Sequence, residues 1–349
     1  MFLPRLTDRF RCIAIIGMEK NAGKTTVLNH LLRAETKRIC AVTSIGFDGE
    51  ETDQVTGSQK PTIYVGCGTL IATADGLISS CDITRKFLKL TGIHTAMGEV
   101  VIVKALSDGF VRIAGPAITN QMEKLLEMLK ECGAEKIFID GAAARKSTAA
   151  ISSADCCILA TGASYSPSIG QIVSQTRFNA GLLNLPSCSD KSLIEFLHSV
   201  RQSVIGSENN DCFARLESGE FVNLGSSLDD QAAFVAAGLE NISALVFSGA
   251  MSNGFAKKFL EKTRKLSGLK LLARDGTRFM LSLDQYQSFL KRGASFEVIK
   301  PGNLLAITVN PVAPTGFNLD PEELKEKLTK ATDIPVFDVV ADEERLDVA

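Results

Sequence analysis

Cys12-Ile-Ala-Ile-Ile-Gly17-Met-Glu-Lys-Asn-Ala-Gly23-Lys-Thr-Thr-Val27-Leu-Asn-His-Leu-Leu-Arg33 is the stretch that decides the fold. Its first five residues form a continuous apolar run, as expected for a central strand buried on both faces. From Lys24 to Arg33 the period changes, and Val27, Leu28, Leu31 and Leu32 fall on one face of a helix. Between them lies a glycine-rich loop ending in Gly-Lys-Thr. A strand, such a loop and a helix together make an anion cradle: loop N–H groups turn inward and the helix N-terminus adds partial positive charge.

A nucleoside triphosphate fits this cradle. Gly23 lets the backbone approach the phosphates, Lys24 reaches the β- and γ-phosphate oxygens, and the Thr25 hydroxyl is placed for Mg²⁺. Asn21, Ala22, Gly23, Lys24, Thr25 and Thr26 are therefore the expected nucleotide contacts. The standard spacing G-x-x-x-x-G-K-[ST] requires its first glycine at position 18, which is Met18, whereas Gly17 stands one residue early. Lys20 is a second candidate for facing phosphate, although an exposed loop lysine is the simpler reading.

Working outward, short apolar runs alternate with helical patterns, the signature of a mostly parallel sheet covered by helices. Arg38–Ile45 reads as the second strand. The acidic, polar stretch Gly46–Pro61 reads as a long functional loop. Residues 62–115 hold several short β-like runs and read as an antiparallel insertion. Lys136–Ile139 is a strand ending at Asp140, and Cys156–Ala160 is another. After Pro186 the pattern restarts, which predicts a nucleotide-binding domain over 1–186 and a second α/β domain over 187–349. Asp320-Pro-Glu-Glu323 marks a helix start, with Asp as cap, Pro at the first helical position and Glu323 able to close a capping box.

Carboxylates at the C-terminal ends of sheet strands are where a metal beside the phosphates is held. Asp140, in Ile-Phe-Ile-Asp-Gly-Ala, is the first candidate, either for Mg²⁺ through a water or for placing the attacking water. Asp48, in Gly46-Phe-Asp-Gly-Glu-Glu-Thr-Asp53, is the second, with Glu51 and Asp53 in reserve. Lys60 and Arg145 are unspecific candidates for neutralising phosphate charge. Lys24 and Asp140 are thus the expected catalytic pair, and Thr25, Asp48 and Asp140 the expected metal set. No Asn-Lys-x-Asp guanine-reading segment occurs, and the matching strand end reads Ala160-Thr-Gly-Ala-Ser164, so ATP is preferred over GTP.

Composition excludes other classes. The 349 residues carry a formal net charge of -2, with no basic block to drive counterion release from nucleic acid. Aromatics are 6% with no Trp, which leaves few base-stacking surfaces. No apolar run reaches the ~18 residues of a membrane span. The first eleven residues carry charges where a signal peptide needs an apolar stretch. The nine cysteines form no C-x-x-C pair, and Cys12, Cys40, Cys156 and Cys157 sit in strand-like runs. They read as reduced core thiols, and the chain is expected to be cytoplasmic. No hydrolase triad and no zinc spacing is present. Whether the chain forms a homo-oligomer stays open.

The early glycine resembles the loop of dethiobiotin synthetase-like proteins, a branch that includes the MinD- and nitrogenase-iron-protein-like ATPases. More closely, the chain resembles the P-loop subunit of the lysine 5,6-aminomutase and ornithine aminomutase reactivases. That resemblance rests on Ile16–Thr26, Thr43-Ser-Ile-Gly-Phe-Asp-Gly-Glu-Glu51 and Ile139-Asp-Gly-Ala-Ala-Ala-Arg-Lys146. It extends to Phe247-Ser-Gly-Ala250 and Asn310-Pro-Val-Ala-Pro-Thr-Gly316. It implies an ATP-dependent partner of an adenosylcobalamin-dependent aminomutase, acting beside a companion ATPase subunit of the MutS type. Two other readings remain: an ATP-dependent small-molecule ligase or carboxylase of the dethiobiotin synthetase-like class, and a regulatory scaffold with a weak nucleotide site.

Overall fold

The computed structural model describes residues 3–46, 62–143, 148–202 and 210–342. In chain order its first strands are β1 (Cys12–Gly17), β2 (Cys40–Ser44), β3 (Ile63–Val65), β4 (Leu70–Ala74) and β5 (Arg85–Thr95). They are followed by β6 (Gly98–Ala105), β7 (Gly109–Val111), β8 (Lys136–Ala143) and β9 (Cys156–Gly162). Next come β10 (Asp211–Leu216), β11 (Phe221–Ser226), β12 (Ile242–Phe247), β13 (Lys270–Ala273) and β14 (Ser295–Val298). The last are β15 (Leu304–Asn310) and β16 (Val336–Phe337).

These strands and their helices make a mixed α/β chain of two compact units. One unit runs to Ala180 and resumes at Asn303, while the other is Gly181–Gly302. The expected second domain, 187–349, therefore needs correction at its far end. β15 pairs in parallel with β9 from Leu304 to Asn310, so the tail rejoins the first sheet.

The first unit is built on a nine-stranded sheet of order β16-β15-β9-β1-β8-β2-β4-β6-β5. Pairing is parallel from β16 through β4 and antiparallel from β4 to β6 and β5. The expected antiparallel insertion thus appears as an extension of the main sheet, together with a separate β3–β7 ribbon. Every residue of β1 is buried, as a central strand covered on both faces demands. Ile13 and Ile15 from β1 share one core with Val42, Phe138 and the helix residues Val27, Leu28 and Leu31.

The second unit has a five-stranded sheet of order β11-β10-β12-β13-β14. Its first pairs are antiparallel, with the β10–β11 hairpin turning at Gly219, and β12, β13 and β14 run parallel. Leu193, Leu197, Phe213, Val246 and Leu272 form its core on one side. On Asp320 the structure agrees with the sequence: its carboxylate accepts from the Glu323 N–H at 2.9 Å and starts helix Pro321–Thr332, while the Glu323 carboxylate pairs with Lys327 at 2.5 Å instead of closing a capping box.

All nine cysteines are free thiols and seven are buried, among them Cys12, Cys40, Cys156 and Cys157. Burial pushes Cys40 and Cys156 up to about 12, so both stay protonated within the core. Cys67 is exposed. Among the described residues, no helix is long and apolar enough to cross a membrane.

Candidate functional site

Register places the candidate site at the carboxyl edge of the large sheet. Across neighbouring strands, Ser44 of β2 lies beside Asp140 of β8, and Asp140 lies beside Ile15 of β1. On the other flank, Gly17 pairs with Ala160 of β9, and Asn310 of β15 pairs with Gly162. The loop leaving β1 rises from the middle of this row. Ligands of open α/β sheets sit at this edge, where loops from several strands converge.

The loop backbone is bent by two positive φ angles, 60° at Asn21 and 93° at Gly23. Gly23 is the residue before helix Lys24–Ala34, and as a glycine it gives that helix no side-chain cap. Its first closing bond is Val27 N–H to the Gly23 carbonyl, at 3.0 Å. A helix leaves its first amides without intrahelical acceptors. Here the described residues offer no acceptor to the amides of Gly23, Thr25 and Thr26. The loop's own footing is firm: Met18 donates its N–H to the Ala160 carbonyl at 2.8 Å.

Gly17 explains the unusual spacing. A Cβ added there would stand 3.0 Å from Cδ and 3.1 Å from Cγ of Lys24, and 3.1 Å from the Glu19 carbonyl oxygen. The lysine stem therefore lies back across the start of the loop, over a residue that has no side chain to obstruct it. Its Nζ donates to the Glu19 carbonyl at 3.4 Å. Gly17 thus seats the Lys24 stem, one residue ahead of the place where the standard pattern has its first glycine.

Asp140 is half-buried and sits within β8, which continues to Ala143 rather than ending at Ile139 as expected. The extension arises because Ala143 pairs with Gly17, across a shift in register after Ile15. Side chains alternate along a strand, so Asp140 shares a face with Phe138, which packs in one core with Val27 and Leu28. The carboxylate thus lies on the face that helix Lys24–Ala34 covers. Thr25 is partly exposed in that helix's first turn.

Asp140 and Thr25 offer oxygen donors, the ligand type that Mg²⁺ takes beside phosphate and water. Among the described residues, no three His, Cys, Asp or Glu side chains gather as a metal cage. The other expected metal residue, Asp48, lies outside the described residues, as do Glu51, Asp53, Lys60 and Arg145. Lys20 is exposed.

Two residues of this edge were not picked out as site residues from the sequence. Asn310 donates from Nδ2 to the Asn21 carbonyl at 3.1 Å, while its Oδ1 accepts from the Val312 N–H at 3.2 Å. A Cβ on Gly23 would meet the Asn310 Cβ at 3.4 Å, so this side chain braces the loop at its most bent point. Ser44 holds the exit of β2: its Oγ accepts from the Gly115 N–H at 3.2 Å and lies 3.0 Å from the Gly46 carbonyl. Asn followed by Pro directly after an apolar run was the available signal for Asn310. Ser44 offered none beyond its strand-end position.

No family model matches the chain, and comparison with curated proteins and with solved structures finds no match.

Proposed function

We propose that the chain binds ATP with Mg²⁺ through the loop from Gly17 to Thr26, and that its large sheet is that of a P-loop nucleoside triphosphatase. The observation that carries this reading is the uncapped start of helix Lys24–Ala34 with the Lys24 stem lying over Gly17. In this reading, the amides from Asn21 to Thr26 hold phosphate oxygens and Lys24 neutralises charge on the terminal phosphates. Thr25 and Asp140 hold the metal, which when bound would offset phosphate charge. Asp140 also places a water at the terminal phosphate. Asn310 acts as a positioning residue, fixing the Asn21 carbonyl so that the neighbouring amides face the ligand.

The protein-level role follows from the sequence resemblance: an ATPase subunit that remodels or reactivates an adenosylcobalamin-dependent aminomutase, beside a MutS-like companion. Nine free thiols accord with a reducing, cytoplasmic setting. Nucleotide would act by giving the partner different affinities for two states of the chain. The test is phosphate release from ATP with and without a purified aminomutase. Stimulation by the aminomutase supports the reading. Turnover indifferent to it rejects the remodelling role, and turnover that responds to a metabolite alone favours the ligase class.

A further inference from the structure

Among the described residues, the outer strand of the large sheet, β5, pairs with β6 alone, and no strand neighbours its other edge. Residues opposite each other in an antiparallel pair share a face. Phe87 opposes Val103 and Leu90 opposes Val101, and both valines belong to the buried core. Yet Phe87 is 58% exposed and Leu90 69% exposed. The core face therefore continues to the last strand, where the described residues do not cover it.

The other face carries charge. Lys86 opposes Lys104 directly, an arrangement that repels. Among the described residues, neither lysine has a carboxylate partner. Lys89, by contrast, is held by Glu131 at 2.6 Å. No Asp or Glu occurs between Arg85 and Thr95.

We infer that β5 accepts an extended segment of a partner protein, added as a tenth strand, in which acidic and apolar residues alternate. The alternation follows from the two faces. A strand laid on β5 turns every second side chain toward Phe87 and Leu90, and those between toward Lys86 and Lys104. Carboxylates on the second set relieve the lysine pair, and apolar groups on the first set cover the extended core face. The competing account is that the lysines, with the register shifts after Phe87 and Leu90, simply blunt the edge against pairing. The inference is independent of the nucleotide site, and either can fail without the other.

The test uses the full chain and fluorescein-labelled ten-residue peptides, one alternating Val with Glu and one alternating Val with Lys, read by fluorescence anisotropy. The acidic peptide should bind about tenfold more tightly than the basic one. Lys86→Glu with Lys104→Glu should reverse that order. Leu90→Asp, at an exposed position, should abolish binding of the acidic peptide with the thermal melt unchanged. N-methylating alternate backbone amides of the acidic peptide should also abolish it. The inference is overturned by equal binding of both peptides, by binding of neither, or by discrimination that survives the lysine reversal. It is likewise overturned if sedimentation without peptide shows a dimer that Leu90→Asp dissolves, since the occupant is then a second copy.

Discussion

Two strand–loop–helix connections can be set side by side, one in each unit. β1 leads through Met18–Gly23 into helix Lys24–Ala34, and β12 leads through Ser248–Ser252 into helix Asn253–Lys262. At the second, Ser252 accepts the Phe255 N–H at 3.0 Å, so the protein itself satisfies a helix-start donor. At the first, a left-handed glycine stands in the cap position and offers no side chain to close the helix. The comparison separates a helix start finished by its own serine from one whose cap position is a glycine, the feature on which the proposed anion site rests.

Lack of a cap is not sufficient. Helix Thr119–Glu131 also begins without a side-chain cap, after Ile118 in extended conformation. What distinguishes the first connection is the conjunction of a bent loop, a lysine stem over Gly17 and a carboxylate on the same face of the sheet.

The largest expected effect is at Lys24. Lys24→Ala should weaken MgATP binding or turnover by on the order of 10²-fold, because in the proposed site it deletes the charge that would face the phosphates. Equilibrium binding and steady-state phosphate release measure it, and an unchanged variant would leave only the scaffold reading. Gly17→Val comes next. Its Cβ would be forced against the Lys24 stem, so affinity should fall by roughly tenfold, the cost of moving one charge-assisted contact. A Gly17→Val chain that binds like the wild type would remove the explanation offered for the displaced glycine.

Asn310→Ala should cost less, about 1 kcal/mol for one hydrogen bond, or about fivefold in affinity, through a looser loop. Titration with MgATP measures this against an unchanged melting curve, because the residue braces the site rather than the core. Ser252→Ala reverses the pattern. It should reduce stability by about 1 kcal/mol, seen in denaturant unfolding, with nucleotide affinity unchanged. A loss of affinity in that variant would contradict the contrast between the two helix starts.

Much of the first connection was legible in the sequence because its signals are local. The apolar run Cys12–Ile16, the glycines and the change of period at Lys24 all lie within one short stretch. The capped start at Asp320 was legible for the same reason. The return of β15 was not, because Leu304–Asn310 is an apolar run that any buried strand would share, and its partner β9 lies far away in sequence. The role of Asn310 was hidden with it, since bracing Asn21 depends on that distant pairing. Asp140-Gly141 resembles a turn, yet pairing of Ala143 with Gly17 carries the strand onward.

Isothermal titration of MgATP into the intact protein tests the central claim most directly. The account predicts saturable heat with one site per chain, lost or greatly reduced in Lys24→Ala at an unchanged melting temperature. Absence of heat with every nucleotide tried, or identical isotherms for the wild type and Lys24→Ala, would contradict it.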